Sequence, residues 1–251
     1  MKKLLIALLL IPSLAYAEFI GEMGKVNPYT TLDIIDEFMA GSTETGEIGD
    51  LGWSTGATVG TITVSRVAAE ANSPGMINVD VSATLNGIVS VNLGGGSNNI
   101  DPDDSFDITF RVRPQDNTNQ ELRVGMQTGA TSAPGAAGIY FIHDTNTPNS
   151  SETAAANPTL TEWACVTRAS SVSTLTDANV TVTINTWYKM RITRDASNVY
   201  FYIDNVLVCT HTTNIPSSVV NPMVIIENLE GVDTKNIDWD YFRLIDRNMS
   251  R

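Results

Sequence analysis

Apolar and polar residues alternate with a period of two along most of this chain, which predicts strands rather than helices. Between residues 107 and 113, Ile108, Phe110 and Val112 share one face and charged side chains the other. Tyr188, Met190 and Ile192 alternate with Lys189, Arg191 and Thr193, and Ile77, Val79 and Val81 with Asn78, Asp80 and Ser82. Val199, Phe201 and Ile203 repeat the pattern, and Asp204-Asn205 then predicts a tight turn into a further strand at 206–209. Half-buried segments of this kind recur at intervals of roughly 10 to 15 residues up to the segment 239–244.

Turn chemistry punctuates the strands: Ser73-Pro74-Gly75, Asn86-Gly87, Gly94-Gly95-Gly96, Pro134-Gly135 and Asn221-Pro222. A count of roughly a dozen strands suits two stacked antiparallel sheets better than a small barrel. Residues 32–39 are the single helical candidate, short enough to form a strand instead. Residues 145–158, rich in Asn, Ser, Thr and Ala, read as a long exposed loop.

The start of the chain has another character. Lys2 and Lys3 precede an apolar run at 4–10, and Ala15-Tyr16-Ala17 supplies a small-x-small pattern, so residues 1–17 read as a cleavable secretion signal. The run is too short to span a bilayer, which takes about 20 residues. Residues 18–35 then form a lead-in and 36–251 one domain. Cleavage before Glu18 removes Lys2 and Lys3 from the 15 basic side chains, leaving 13 against 28 acidic ones, a net charge of −15. Such a chain lacks the clustered cations needed for nucleic acid or for an anionic membrane surface. Cys165 and Cys209, the two cysteines, lie at apolar strand positions. An oxidising compartment permits them to pair, although buried free thiols fit those positions equally well.

Recognisable catalysis is sparse. His143 and His211 are the two histidines, both near strand ends, where ordinary surface or edge roles are expected; no Gly-x-Ser-x-Gly occurs. Asp238-Trp239-Asp240 places two carboxylates on one strand face without the spacing of a sandwich glucanase, and no polysaccharide-cleaving activity is expected. Asp101, Asp103, Asp104 and Asp107 offer hard oxygen ligands, the weak candidates for calcium, in what is also a plain turn sequence. Apart from calcium no cofactor is implied. Among the aromatics, Trp187 and Trp239 read as core, whereas Trp163 beside the long loop and Tyr200 and Tyr202 on a charged face are the candidates for binding a glycan.

From Asp36 onward the chain resembles the concanavalin A-like jelly-roll domains, a class that includes laminin G-like modules and versions found in structural proteins of tailed bacteriophages. The residues carrying the resemblance are Asp36-Glu37-Phe38, the run Gly46 to Trp53, Ser73-Pro74-Gly75, the run Phe106 to Arg113, Leu122-Arg123-Val124-Gly125, Gly138-Ile139-Tyr140-Phe141, the run Trp187 to Ile192, the run His211 to Pro216 and Asp238-Trp239-Asp240-Tyr241-Phe242. The resemblance implies an all-β, antiparallel two-sheet sandwich in one domain. It further implies a virion- or cell-surface component that binds glycans or surface proteins, with no catalytic set to carry over. A secretion signal departs from the habit of phage virion proteins. The expectation is therefore a non-enzymatic, extracytoplasmic structural or interaction protein of a virion or cell surface, a phage decoration or minor structural protein, working through weak multivalent glycan or protein contacts and open to homo-oligomerisation. A secreted lectin is the alternative, and a polysaccharide-active enzyme the third reading.

Overall fold

The computed structural model describes residues 32–38, 48–71, 73–93, 100–102, 105–129, 135–145 and 161–246. The signal expected at 1–17, the glycine run at 94–96 and nearly all of the loop at 145–158 lie outside them. The described strands are β1 (Leu32–Asp36), β2 (Trp53–Val59), β3 (Ile62–Val67), β4 (Met76–Val81), β5 (Gly87–Leu93), β6 (Phe106–Pro114), β7 (Gln120–Gln127), β8 (Gly138–Asp144), β9 (Glu162–Ala169), β10 (Val172–Thr181), β11 (Tyr188–Arg194), β12 (Val199–Ile203), β13 (Val206–His211), β14 (Asn221–Asn228) and β15 (Lys235–Asp246). They form two antiparallel sheets. One is eight-stranded in the order β13-β12-β11-β6-β15-β4-β3, with β1 also paired to β15; the other is seven-stranded, β10-β9-β8-β7-β14-β5-β2. No helix of the described residues is long and apolar enough to cross a membrane.

The alternating segments pack as expected: Ile108, Phe110, Val112, Met190, Ile192, Val199 and Phe201 are fully buried between the sheets. Asp204 and Asn205 have φ of 50° and 67°, the left-handed pair that joins β12 to β13 in a tight hairpin. The segment at 32–39 is a strand, and β1 pairs along Leu32–Asp36 with the second half of β15, so the sandwich takes in residues set before the domain by the sequence division. Asn221-Pro222 is not a turn but the first step of β14. Pro222 is tolerated there because the pairing with β5 begins only at Met223, so the missing N–H breaks no bond to that neighbour.

At one end of the core an aromatic cluster joins the sheets. Trp53 meets Trp239 edge-on at 4.6 Å and Phe242 at 4.7 Å, while Phe38 meets Trp239 at 4.7 Å. Asp36 fastens this cluster. Its carboxylate accepts hydrogen bonds from the Phe38 N–H (2.8 Å), the Leu51 N–H (3.0 Å) and the Trp53 indole N–H (3.1 Å). Gly49 has φ +68°, and a Cβ there would fall 2.3 Å from an Asp36 oxygen, so two independent constraints require glycine. At the other end, Cys165 on β9 and Cys209 on β13 form a disulfide between the sheets, with Cα atoms 6.5 Å apart.

Candidate functional site

The outer face of the eight-stranded sheet carries a lattice of ion pairs. Arg113 grips Asp238 through Nε (2.9 Å) and Nη2 (2.7 Å) and reaches Glu70 at 2.8 Å. Arg111 pairs with Asp240 and Ser73. Both guanidiniums lie over Trp187, at 4.4 and 4.6 Å from its ring centroid. Trp187 is thus half-exposed on the outer face, not core; it shares the parity of Lys189 and Arg191. Asp238 and Asp240, the pair nearest in sequence to a glycosidase arrangement, are each committed to an ion pair, Asp238 with Arg113 and Asp240 with Arg111.

Beside this lattice, β6, β11 and β12 border a depression of about 410 Å³ lined by Ser105, Asp107, Arg191, Thr193, Arg194, Asp195 and Tyr200. Arg191 binds Asp107 in a two-pronged contact (2.9 and 2.6 Å) and lies 5.2 Å from the centroid of Tyr202. The Tyr200 hydroxyl donates to Asp195 at 2.8 Å. Asp195 also accepts the N–H groups of Ser197 (2.9 Å) and Asn198 (2.8 Å), in the turn from β11 to β12. The Ser197 N–H, then the Tyr200 hydroxyl and the Asn198 N–H, hold its carboxyl down at about 2. The depression thus offers fixed carboxylates, a guanidinium and partly exposed tyrosines.

The sequence candidates divide. Tyr200 and Tyr202 are half-exposed on this face. Trp163 is not a surface residue: it is fully buried on the inner face of β9, against Tyr188 at 5.9 Å and His143 at 5.7 Å. Nearness to a loop in sequence misleads there, because parity with inward Cys165 decides the direction. Of the calcium candidates, Asp107 is engaged by Arg191, Asp101 is exposed, and Asp103 and Asp104 lie outside the described residues. No group of three or more His, Cys, Asp or Glu side chains among the described residues is placed to hold a metal ion.

His143 and His211 are not surface residues either; both are buried. His211 stitches the sheets beside the disulfide, its Nδ1 2.9 Å from the Thr167 hydroxyl and its Nε2 3.0 Å from that of Thr176. Burial lowers its pKa to about 4 from 6.5. The unfolded chain therefore takes up this proton first, so stability is expected to fall as pH drops from 6.5 to about 4 and to level off below. The contribution is at most about 3 kcal/mol. Thermal midpoints against pH for the wild type and His211→Gln test this: the variant is expected to lose part of that slope, and identical slopes would refute the assignment.

The seven-stranded sheet differs from its partner. In the central strands β5, β7, β8 and β14 every residue is buried, so both faces are covered. The inner face is apolar, but the outer face is mixed. Three carboxylates stand side by side across neighbouring strands, Glu227 opposite Glu121 and Glu121 opposite Asp144, with Arg123 ion-paired to Glu121. Burial, with Asp144 nearby, raises the pKa of Glu227 against the pull of Arg123. At the other end of the same strands, Asn92, Gln127 and Asn221 are buried, and their side-chain oxygens have no hydrogen-bond partner among the described residues. This layer is not legible from sequence, because Glu121 and Arg123 look like ordinary solvent-facing alternates.

Two stacked antiparallel sheets with this order define the concanavalin A-like class of jelly-roll sandwiches, and known structures agree. A protein of unknown function, SO2946 from Shewanella oneidensis MR-1, superposes with a TM-score of 0.59 at 14% identity, over 88% of this chain and 90% of that one. The β-glucanase of Bacillus licheniformis gives 0.54 at 13% identity, over 87% and 98% of the two chains. The carbohydrate recognition domain of Emp47p gives 0.52 at 13%, over 85% and 94%. At these identities the likeness is one of fold. The chain belongs to the SO2946-like family, whose C-terminal domain matches residues 72–230. No curated protein matches it in sequence.

Proposed function

We propose that this protein is a non-enzymatic, extracytoplasmic binding module that recognises neutral glycans of a cell or particle surface through the depression at Tyr200. The observation that carries the reading is the fixed set of planar polar groups, Asp107 with Arg191 and Asp195 with Tyr200, bordered by half-exposed tyrosines. Carboxylates and guanidiniums held in one geometry pair with neighbouring sugar hydroxyls at little cost in entropy, and a tyrosine face packs on the apolar side of a sugar ring. The inter-sheet disulfide supports a location outside the cytoplasm, where such bonds persist. The fold is shared with the Emp47p carbohydrate recognition domain, which supports the glycan as ligand class. The commitment of Asp238 and Asp240 to arginines supports a role without bond cleavage.

A shallow, open depression favours weak individual binding, strengthened when copies are displayed together. Neutral glycans are expected to bind a clustered form of the protein more tightly than the monomer on a glycan array. Tyr200→Ala is expected to lower monomer affinity about tenfold with an unchanged melting temperature, since Tyr200 lies on the outer face. Equal binding by the variant, or release of reducing ends from a bound polysaccharide, would overturn the reading.

A further inference from the structure

We propose that Asn179 is an acceptor for N-linked glycosylation, taking an oligosaccharide from a polyprenyl pyrophosphate carrier outside the cytoplasm. Among the described residues, Asn179-Val180-Thr181 is the one run of Asn, any residue but Pro, and Ser or Thr, the pattern such a transfer requires. Three-residue patterns recur by chance, so the case rests on how the fold presents this one. β10 is the last strand of the seven-stranded sheet and, among the described strands, pairs with β9 alone. Its ladder is regular from Val172 to Asp177 and resumes at Val180, opposite Trp163, which leaves Ala178 and Asn179 bulged out of the pairing. Asn179 has φ of 53° there, a left-handed conformation that asparagine tolerates better than most residues.

The bulge turns the two chemical groups of the pattern outward. Ala178 is buried and Val180 packs against the core, so these residues anchor the strand while Asn179 and Thr181 are both exposed. The Asp177 carboxylate fixes the turn by accepting the Asn179 N–H at 2.8 Å. The Asn179 Nδ2 meets the Asp177 carbonyl oxygen at 3.5 Å, a contact long enough to be given up at little cost. In the transfer Nδ2 forms a bond to C1 of the first sugar and gives up one proton. The C1–O bond to the pyrophosphate breaks, and the polyprenyl pyrophosphate leaves. The Thr181 hydroxyl is the group by which the transferring enzyme places the amide. The disulfide between the sheets supports the compartment in which this chemistry runs. A glycan on the bulge stands over the open edge of β10 and screens it from pairing with a second chain. The proposal does not depend on the Tyr200 depression, which lies on the other sheet.

The test uses the whole, disulfide-bonded protein with a purified oligosaccharyltransferase and a polyprenyl-pyrophosphate oligosaccharide. Two further Asn-x-Ser runs, 149–151 and 248–250, lie outside the described residues, so the site is assigned by mass spectrometry of peptides. The peptide holding Asn179 is expected to gain the glycan, to keep it in Thr181→Ser and to lose it in Thr181→Ala and Asn179→Gln. Thr181→Ala leaves the left-handed Asn179 in place, and its melting temperature is expected to match the wild type, which separates loss of recognition from loss of fold. No glycan at Asn179, a glycan there that survives Thr181→Ala, or one gained only after reduction and unfolding would each overturn the proposal.

Discussion

Replacing Cys165 and Cys209 together by alanine is expected to cost about 4 kcal/mol of stability, the loop-closure entropy for a cross-link spanning 44 residues. The position makes the link effective. Cys165 lies on β9 of one sheet, whereas Cys209 lies on β13, the edge strand of the other, which among the described strands pairs with β12 alone. Without the link, β13 is held across the sandwich mainly by the His211 contacts to Thr167 and Thr176. The loss is expected first as fast hydrogen exchange in β12 and β13, then as a lower urea midpoint. A midpoint unchanged by the double substitution or by a reductant would show that the bond adds nothing to stability.

Asp36→Ala is expected to cost about 3–5 kcal/mol, although the residue is near the beginning of the described chain. Its carboxylate satisfies the N–H groups of Phe38 and Leu51 and the indole N–H of Trp53, and substitution leaves these buried donors unmet. Asp36→Asn keeps one acceptor oxygen and is expected to cost about half as much. Gly49→Ala should damage the same knot from the opposite side, by pressing on the carboxylate and straining a left-handed backbone. Urea unfolding followed by tryptophan fluorescence reports both the stability and the release of Trp53. A loss under about 1 kcal/mol for Asp36→Ala would mean that water replaces the carboxylate freely.

The strands of the eight-stranded sheet are legible in the sequence because one of their faces meets the core and the other meets solvent. Residues 107–113 and 188–193 alternate for that reason, and the reading of Trp187 as core fails because it set aside the parity that puts Trp187 with Lys189 and Arg191. The other sheet is covered on both faces, and there alternation stops carrying information. In β9, inward Trp163 and Cys165 alternate with outward Ala164 and Val166, all of them buried, so period alone cannot orient the tryptophan. Met223-Val224-Ile225-Ile226 in β14 poses the same problem. Glu121, Asp144 and Glu227 come from three strands far apart in sequence, so their line exists only through strand register. The pairing of Cys165 with Cys209 stood between two readings until the sheets placed β13 against β9 and β10.

The position of β15 has a consequence for how the molecule is made. This last described strand does not sit at a margin; it is flanked by β6 on one side and by β4 and β1, end to end, on the other. It also supplies Trp239 and Phe242 to the aromatic cluster. While a ribosome is still producing residues before 235, β6 and the β3–β4 hairpin have no shared partner and the cluster lacks two of its rings. The sandwich can close only once residues up to about 246 have emerged, a degree of long-range pairing that makes folding slow. A chain with that order of assembly leaves strand edges unpaired until then, which exposes it to edge-to-edge association while it is incomplete.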